Sequence, residues 1–376
     1  MVRLIKSFIF SLGVMGVAIT CMGEDSLPMP PVPSGRPNLF LLTSPEITAA
    51  AGTYNGLFAD EGNENGFLTL KLTTNGAFSG VVFLDSDAAP ISGHFTGAGV
   101  AKISISRANV GRSRVGISLI LDLAKGTEQI TGTVHSTNWS ATLRAVRTGG
   151  TTSSTGHDRR FTMLLNSSGK NGGGYGVGTV SASGEASVAG SLSDGSAFSQ
   201  SVAISRKGEW PFYVVLSPGY GKRSEKTKST GVLFGWLTLS NGAPEGQLTW
   251  IRANVTNNVV FNGSTNQVTA KGAAYVPPLP GASILNLTNA VVELWGDGLS
   301  AGMTNFITIN KDGSVVSNGD NRFKLDFYRS SGLLTGSFGP NRGEVIKGVV
   351  LQGENRAEGY FMGTNGSGLF RLHAAP

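Results

Sequence analysis

From Phe67 to Thr73 apolar and polar positions alternate one by one: Leu68, Leu70 and Leu72 against Thr69, Lys71 and Thr73. A period of two marks a β-strand with one buried face. Asn75-Gly76 follows, the dipeptide that most readily takes positive φ at both central positions of a tight hairpin turn. The chain then returns through Ala77–Leu84, breaks at Ala88-Ala89-Pro90 and runs out again through Ile91–Thr96. Both later strands carry one short phrase, an apolar residue, Ser, Gly and a further residue: Phe78-Ser79-Gly80-Val81 and Ile91-Ser92-Gly93-His94-Phe95. Glycine weakens a strand, so its repeated use predicts sharp coiling or close backbone approach, as at the corners of a small barrel.

The phrase returns as Ile130-Thr131-Gly132-Thr133-Val134, Val188-Ala189-Gly190-Ser191-Leu192 and Leu334-Thr335-Gly336-Ser337-Phe338, with looser copies at Ile346–Val349 and Ala357–Tyr360. Its recurrence predicts internal repetition in three units of about a hundred residues, a usual domain size. The first unit covers 49–148 and reads as eight strands; a polar linker, 149–158, follows. The second covers 159–254, with seven strands that can be laid on the first, and 255–282 reads as another linker. The third covers 283–376, where Phe323, Leu325 and Phe327 alternate with polar neighbours and Asp312-Gly313 supplies a hairpin turn. The expected fold is therefore all-β: three tandem antiparallel meander barrels or sandwiches. A β-solenoid is the rival architecture, and units two and three merged into one sheet assembly is another.

Ahead of these units, Arg3 and Lys6 precede the apolar run Ser7–Thr20, the pattern of a signal peptide over 1–23. The run is short for a membrane span, so no transmembrane segment is expected in the mature chain. Residues 24–48 follow as a Pro-rich linker, with Leu39–Ala50 adding a short strand or helix. Cys21 is the only cysteine, so disulfides and thiolate metal sites are excluded from the mature chain. Lipid attachment at Cys21 is the lesser alternative to simple secretion, because Thr20 is a poor residue directly before a lipidated cysteine. Fifty-four glycines and 14% charged residues fit a turn-rich β-protein exported to the cell envelope. Loss of Arg3 and Lys6 would lower the formal charge from +6 to +4, too mild and too poor in interleaved aromatics for nucleic-acid binding.

Gly173-Gly174-Tyr175-Gly176, Trp210–Val214, Phe234–Thr238 and the tail Gly359-Tyr360-Phe361-Met362-Gly363-Thr364-Asn365 carry a family likeness. In these stretches the chain resembles an uncharacterised family of secreted β-rich repeat-module proteins of environmental Gram-negative bacteria. The resemblance implies export and a β-fold, and brings neither catalytic residues nor a ligand.

Motifs for chemistry are sparse. His94, His135, His157 and His373 show no metal-ligand spacing. Asp85 and Asp87 stand two apart in a turn-like setting, and Asn310–Gly313 lacks the remaining ligands of a calcium loop. Gly169–Gly178 is followed by no Gly-Lys-Ser/Thr, and no G-x-S-x-G elbow precedes a helix. Neither a cofactor nor an enzyme is expected. The five tryptophans could stack on sugars, but most lie in apolar runs that fit a core. The expected function is a non-enzymatic cell-surface structural or binding module. Its alternatives are a carbohydrate-binding accessory protein and a hydrolase with an unrecognised carboxylate site.

Two basic loops fall at corresponding places when unit two is laid on unit one. The first holds Arg107, Arg112 and Arg114; the second, Ser217–Thr230, holds Tyr220, Lys222, Arg223, Lys226 and Lys228. Long polar hairpins collect lysine for solubility alone. The functional alternative is contact with an anionic partner, such as acidic polysaccharide or another anionic envelope component.

Overall fold

The computed structural model describes residues 44–60, 64–84, 87–107, 113–149, 158–167, 172–216, 230–252, 264–296, 299–319, 323–339, 343–363 and 366–376. The expected signal peptide, most of the Pro-rich linker and most of the 149–158 linker lie outside them.

The first sheet is built of β1 (Gly52–Ala59), β2 (Asn65–Leu72), β3 (Ala77–Leu84), β4 (Asp87–His94), β5 (Val100–Ile105), β6 (Val115–Leu121), β7 (Gln129–His135) and β8 (Ser140–Arg147). The second holds β9 (Arg159–Ser167), β10 (Gly174–Val180), β11 (Glu185–Ser191), β12 (Ala197–Ala203), β13 (Glu209–Leu216), β14 (Gly231–Ser240), β15 (Ala243–Arg252) and β16 (Thr265–Tyr275). The third holds β17 (Asn289–Gly296), β18 (Leu299–Ile309), β19 (Val315–Ser317), β20 (Lys324–Tyr328), β21 (Leu333–Phe338), β22 (Glu344–Leu351), β23 (Arg356–Met362) and β24 (Ser367–Ala374). All ladders are antiparallel between neighbours in sequence, and the first strand of each sheet pairs with its last. Each sheet is thus a nearly closed eight-stranded barrel. One seam without a ladder remains, between β4 and β5, β12 and β13, and β19 and β20. Pro90 sits within β4, where the sequence suggested a break; β4 is a seam strand, so the proline costs no ladder bond on its free side.

The inward rows are apolar and fill the barrels. Tyr54, Phe58, Leu68, Leu70, Leu119 and Leu143 pack in the first. Phe161, Trp210, Phe212 and Trp250 pack in the second, and Leu294, Phe361 and Phe370 in the third. The glycines of the recurring phrase sit where the coiling barrel presses two backbones together. A Cβ on Gly132 would fall 2.0 Å from the Ser118 carbonyl oxygen, and one on Gly190 2.0 Å from that of Tyr175.

Two expectations need correction. The stretch 255–282 is not a linker throughout, because β16 lies within it and closes the second barrel between β9 and β15. Its inward set, Val268 and Ala270, is small and short, so the alternation is faint. The short strand or helix expected within Leu39–Ala50 is a one-turn-and-a-half helix over Pro45–Ala50, α1, capped by Ser44 and seated on the first core through Ile47. Asn75-Gly76 does not take positive φ at both positions. Only Gly76 does (84°), and Thr73 N–H bonds to Ala77 O across a longer loop whose Asn75 Oδ1 accepts from Ala77 N–H.

That loop recurs. In each case a positive-φ glycine closes a tight turn and its carbonyl accepts an N–H from the strand beyond: Phe95 to Gly76 (2.9 Å), Leu121 to Gly99 (2.7 Å), Ile204 to Gly184 (3.0 Å), Leu239 to Gly208 (2.8 Å) and Val350 to Gly332 (2.8 Å). The up-and-down order places these turns at the end where the chain enters and leaves each barrel. The fifth strands end and the sixth strands begin at the opposite end.

Residues 43–376 form one compact unit in which neighbouring barrels share apolar outer faces. Leu57, Phe67 and Phe83 of the first barrel meet Tyr213, Phe234 and Trp236 of the second. Asn55 Nδ2 donates to Ala203 O (2.9 Å), and Arg144 reaches both Glu209 and the Trp236 ring. Between the second and third barrels, Leu164 and Tyr175 meet Val349, Leu351 and Tyr360. Here Thr162 Oγ1 donates to Val350 O (2.7 Å), and the Ser191 and Tyr360 hydroxyls share a buried bond of 2.9 Å. Both contacts set first to third and eighth strands of one barrel against fifth to seventh strands of the next.

Candidate functional site: a basic groove on the first barrel

The two basic loops do correspond, since each joins the fifth and sixth strands of its sheet, β5 to β6 and β13 to β14. Tyr220, Lys222, Arg223, Lys226 and Lys228 lie outside the described residues, as does Arg112. Arg107 and Arg114 are described, and the fold separates their roles. The Arg107 side chain is only 11% exposed and holds Asp87 at 3.1 Å across the seam. It staples the loop base to β4, leaving its charge compensated. Arg114 precedes β6, and its carbonyl accepts from Ser136 Oγ (2.9 Å), which ties the loop to the turn after β7.

Arg114 borders a groove of about 440 Å³ on the outer face of β5, β6 and β7. Register explains it. Lys102 stands opposite Ser118, Ser104 opposite Gly116, and Gly116 opposite His135. The middle positions are small, so the floor is low, while Lys102, Arg114, His135, Ser136 and Thr137 stand around it. The His135 ring lies over Gly116, where a Cβ would fall 2.5 Å from Nε2. Among the described residues, no carboxylate lines the groove. Its groups can donate hydrogen bonds to an anion and offer hydroxyls to a polar ligand, but they form no acid–base or nucleophile–base pair. Among the described residues, no cluster of three His, Cys, Asp or Glu side chains could hold a metal ion.

The same positions of the second barrel carry Pro211, Tyr213, Phe234 and Trp236, most of them covered by the first barrel. The groove is therefore the uncovered counterpart of a barrel-docking face. Arg114 was the single member visible from the loop's charge. Lys102, Ser104, Ser118 and His135 were missed, and the available signal was the run of small residues at outward positions of paired strands beside cations.

Elsewhere unusual environments serve the fold. Burial raises the Asp194 carboxyl above its ordinary range, although its Oδ1 accepts from Ser196 N–H (2.8 Å). Burial lowers the Arg252 guanidinium, which lies 3.6 Å over the Trp250 ring. Glu358 is buried beside Arg356 and Arg371. Trp210 and Trp250 are core residues, whereas Trp295 is 45% exposed.

Comparison with known protein families, curated proteins and solved structures finds no match to this chain. No described helix is long and apolar enough to cross a membrane.

Proposed function

We propose that the protein is an exported, non-enzymatic cell-surface module whose first barrel binds anionic glycan in the β5–β7 groove. The observation that carries this reading is a groove bordered by Lys102, Arg114 and His135, floored by serines and glycine, with no carboxylate among the described residues of its lining. The charged run before Ser7–Thr20 and the family likeness support export. Interiors filled by packed apolar side chains support a binding role on outer faces rather than in a lumen.

The test is binding of polygalacturonate, of lipopolysaccharide and of its dephosphorylated form, with neutral dextran as control, across ionic strength. Exposed charge attraction is screened beyond about 10 Å at 0.1 M salt. Wild-type protein should bind the anionic polymers and release them as salt rises. Lys102→Ser with Arg114→Ser should lower affinity by about tenfold, the loss of roughly 1.4 kcal/mol. Equal binding by wild type and variant, or equal binding of dextran, would remove the groove from the function.

A further inference from the structure

We propose that the protein associates with copies of itself head to tail, the outer face of β17 and β18 on one molecule docking into the β5–β7 groove of the next. Within the chain, one relation between barrels is used twice. Outer faces of first to third and eighth strands seat on fifth to seventh strands of the following barrel. The contact centres on the fifth and sixth strands in one case and on the sixth and seventh in the other. It is heterologous, so among the described residues it leaves one unused face at each end of the series: the groove on the first barrel, and β17, β18 and β24 on the third. An interface of this kind extends by adding copies rather than closing in pairs.

The open faces have matching character. Counting back from the turn between second and third strands, the interface pairs Leu57–Phe67 and Leu164–Tyr175 correspond to Glu293–Thr304 on the third barrel. In all three barrels the eighth-strand neighbour is a cation: Arg144, Lys271 and Arg371. Glu293, held 3.4 Å from His373, thus occupies the place of the leucine that docks in the internal contacts. On the receiving side, Tyr213 and Phe234 correspond to Ser104 and Gly116, beside Lys102, Arg114 and His135. The internal contact sets leucine against aromatics; the external one would set a carboxylate in a basic groove. The sheet face that carries Glu293 also holds large apolar side chains open to solvent: Trp295 on β17, whose ring lies over Gly302, Phe306 (51% exposed) on β18 and, farther out, Val316 (52%) on β19. Such clustering marks an interaction face, and the low floor of the groove leaves room for side chains of this size.

The inference concerns the same groove as the proposed glycan site but does not depend on glycan binding. The experiment is sedimentation velocity of the protein over a hundredfold concentration range at low and high salt. Wild type should form a ladder of oligomers that grows with concentration and shrinks with salt. Glu293→Lys with Phe306→Ser disables the docking face; Lys102→Glu with Arg114→Glu disables the groove. Each variant alone should be monomeric, and an equimolar mixture should give dimers and nothing larger, because one good face of each kind remains. Thermal melting checks that both fold; if either does not, Thr304→Arg at an exposed position and Ser118→Trp at a half-buried one block the same faces. A wild type that stays monomeric throughout, oligomers that survive either variant, or a mixture that fails to pair while the wild type associates would each overturn the proposal. The docking-face variant keeps its groove, so polygalacturonate binding by that variant reads the glycan proposal separately.

Discussion

A glycine in the middle of a strand is usually a liability, and here it is what permits two backbones to touch. At Gly190 a methyl group would meet the Tyr175 carbonyl at 2.0 Å and the Phe198 ring at 2.5 Å. Gly190→Ala should cost about 1–3 kcal/mol, the usual range for overpacking, in urea unfolding. Gly97→Ala, at a site with nothing within 4 Å, should stay within about 0.5 kcal/mol of wild type. This much was legible in the sequence, since the phrase repeats and glycine has a narrow set of reasons to sit in a strand. Asp194 shows the limit of such reading: an Asp-Gly pair in a turn looks solvated, yet its carboxyl is partly withdrawn from water and its pKa raised. A raised folded pKa means the fold favours the protonated form, so stability falls as pH climbs from the unfolded carboxylate value through the folded one. Asp194→Asn should therefore gain in melting temperature over wild type at neutral pH and lose that advantage in acid, read by calorimetry across pH.

At the scale of elements, the first barrel's strands were readable to within a few residues because long apolar side chains alternate with polar ones and turn residues separate them. β16 was not, because its inward set, Val268 and Ala270, is small and short. What assigns it is closure, a constraint on the whole sheet that no local pattern expresses: β9 needs a partner on its second edge. Val268→Asp should consequently behave as a core substitution, costing several kcal/mol through a buried uncompensated charge and collapsing cooperative unfolding of the second barrel. A linker residue would tolerate it, so the urea midpoint of this variant separates the two descriptions. The groove escaped notice for a related reason. Its members lie on three strands, and only register brings Lys102, Gly116 and His135 together.

For the molecule as a whole, the two shared faces make the middle barrel the dependent one. Cut out alone, it would uncover Tyr213, Phe234 and Trp236 on one side and Leu164 and Tyr175 on the other. An excised 158–276 fragment should bind a hydrophobic dye and aggregate at concentrations where the full chain does neither, as exposed apolar patches on both sides require. The return of every barrel's last strand to the end where its first began also has a mechanical side. Tyr54 lies opposite Arg147, Arg160 opposite Tyr275, and Ala290 opposite Ala374, so each barrel's two chain ends leave from adjacent positions. Tension between the ends of a barrel would load the closing ladder one hydrogen bond at a time, peeling it like a zipper instead of shearing all its bonds at once. A series built this way yields at low force and lengthens barrel by barrel, which suits an element meant to give under pull rather than to hold rigidly against it.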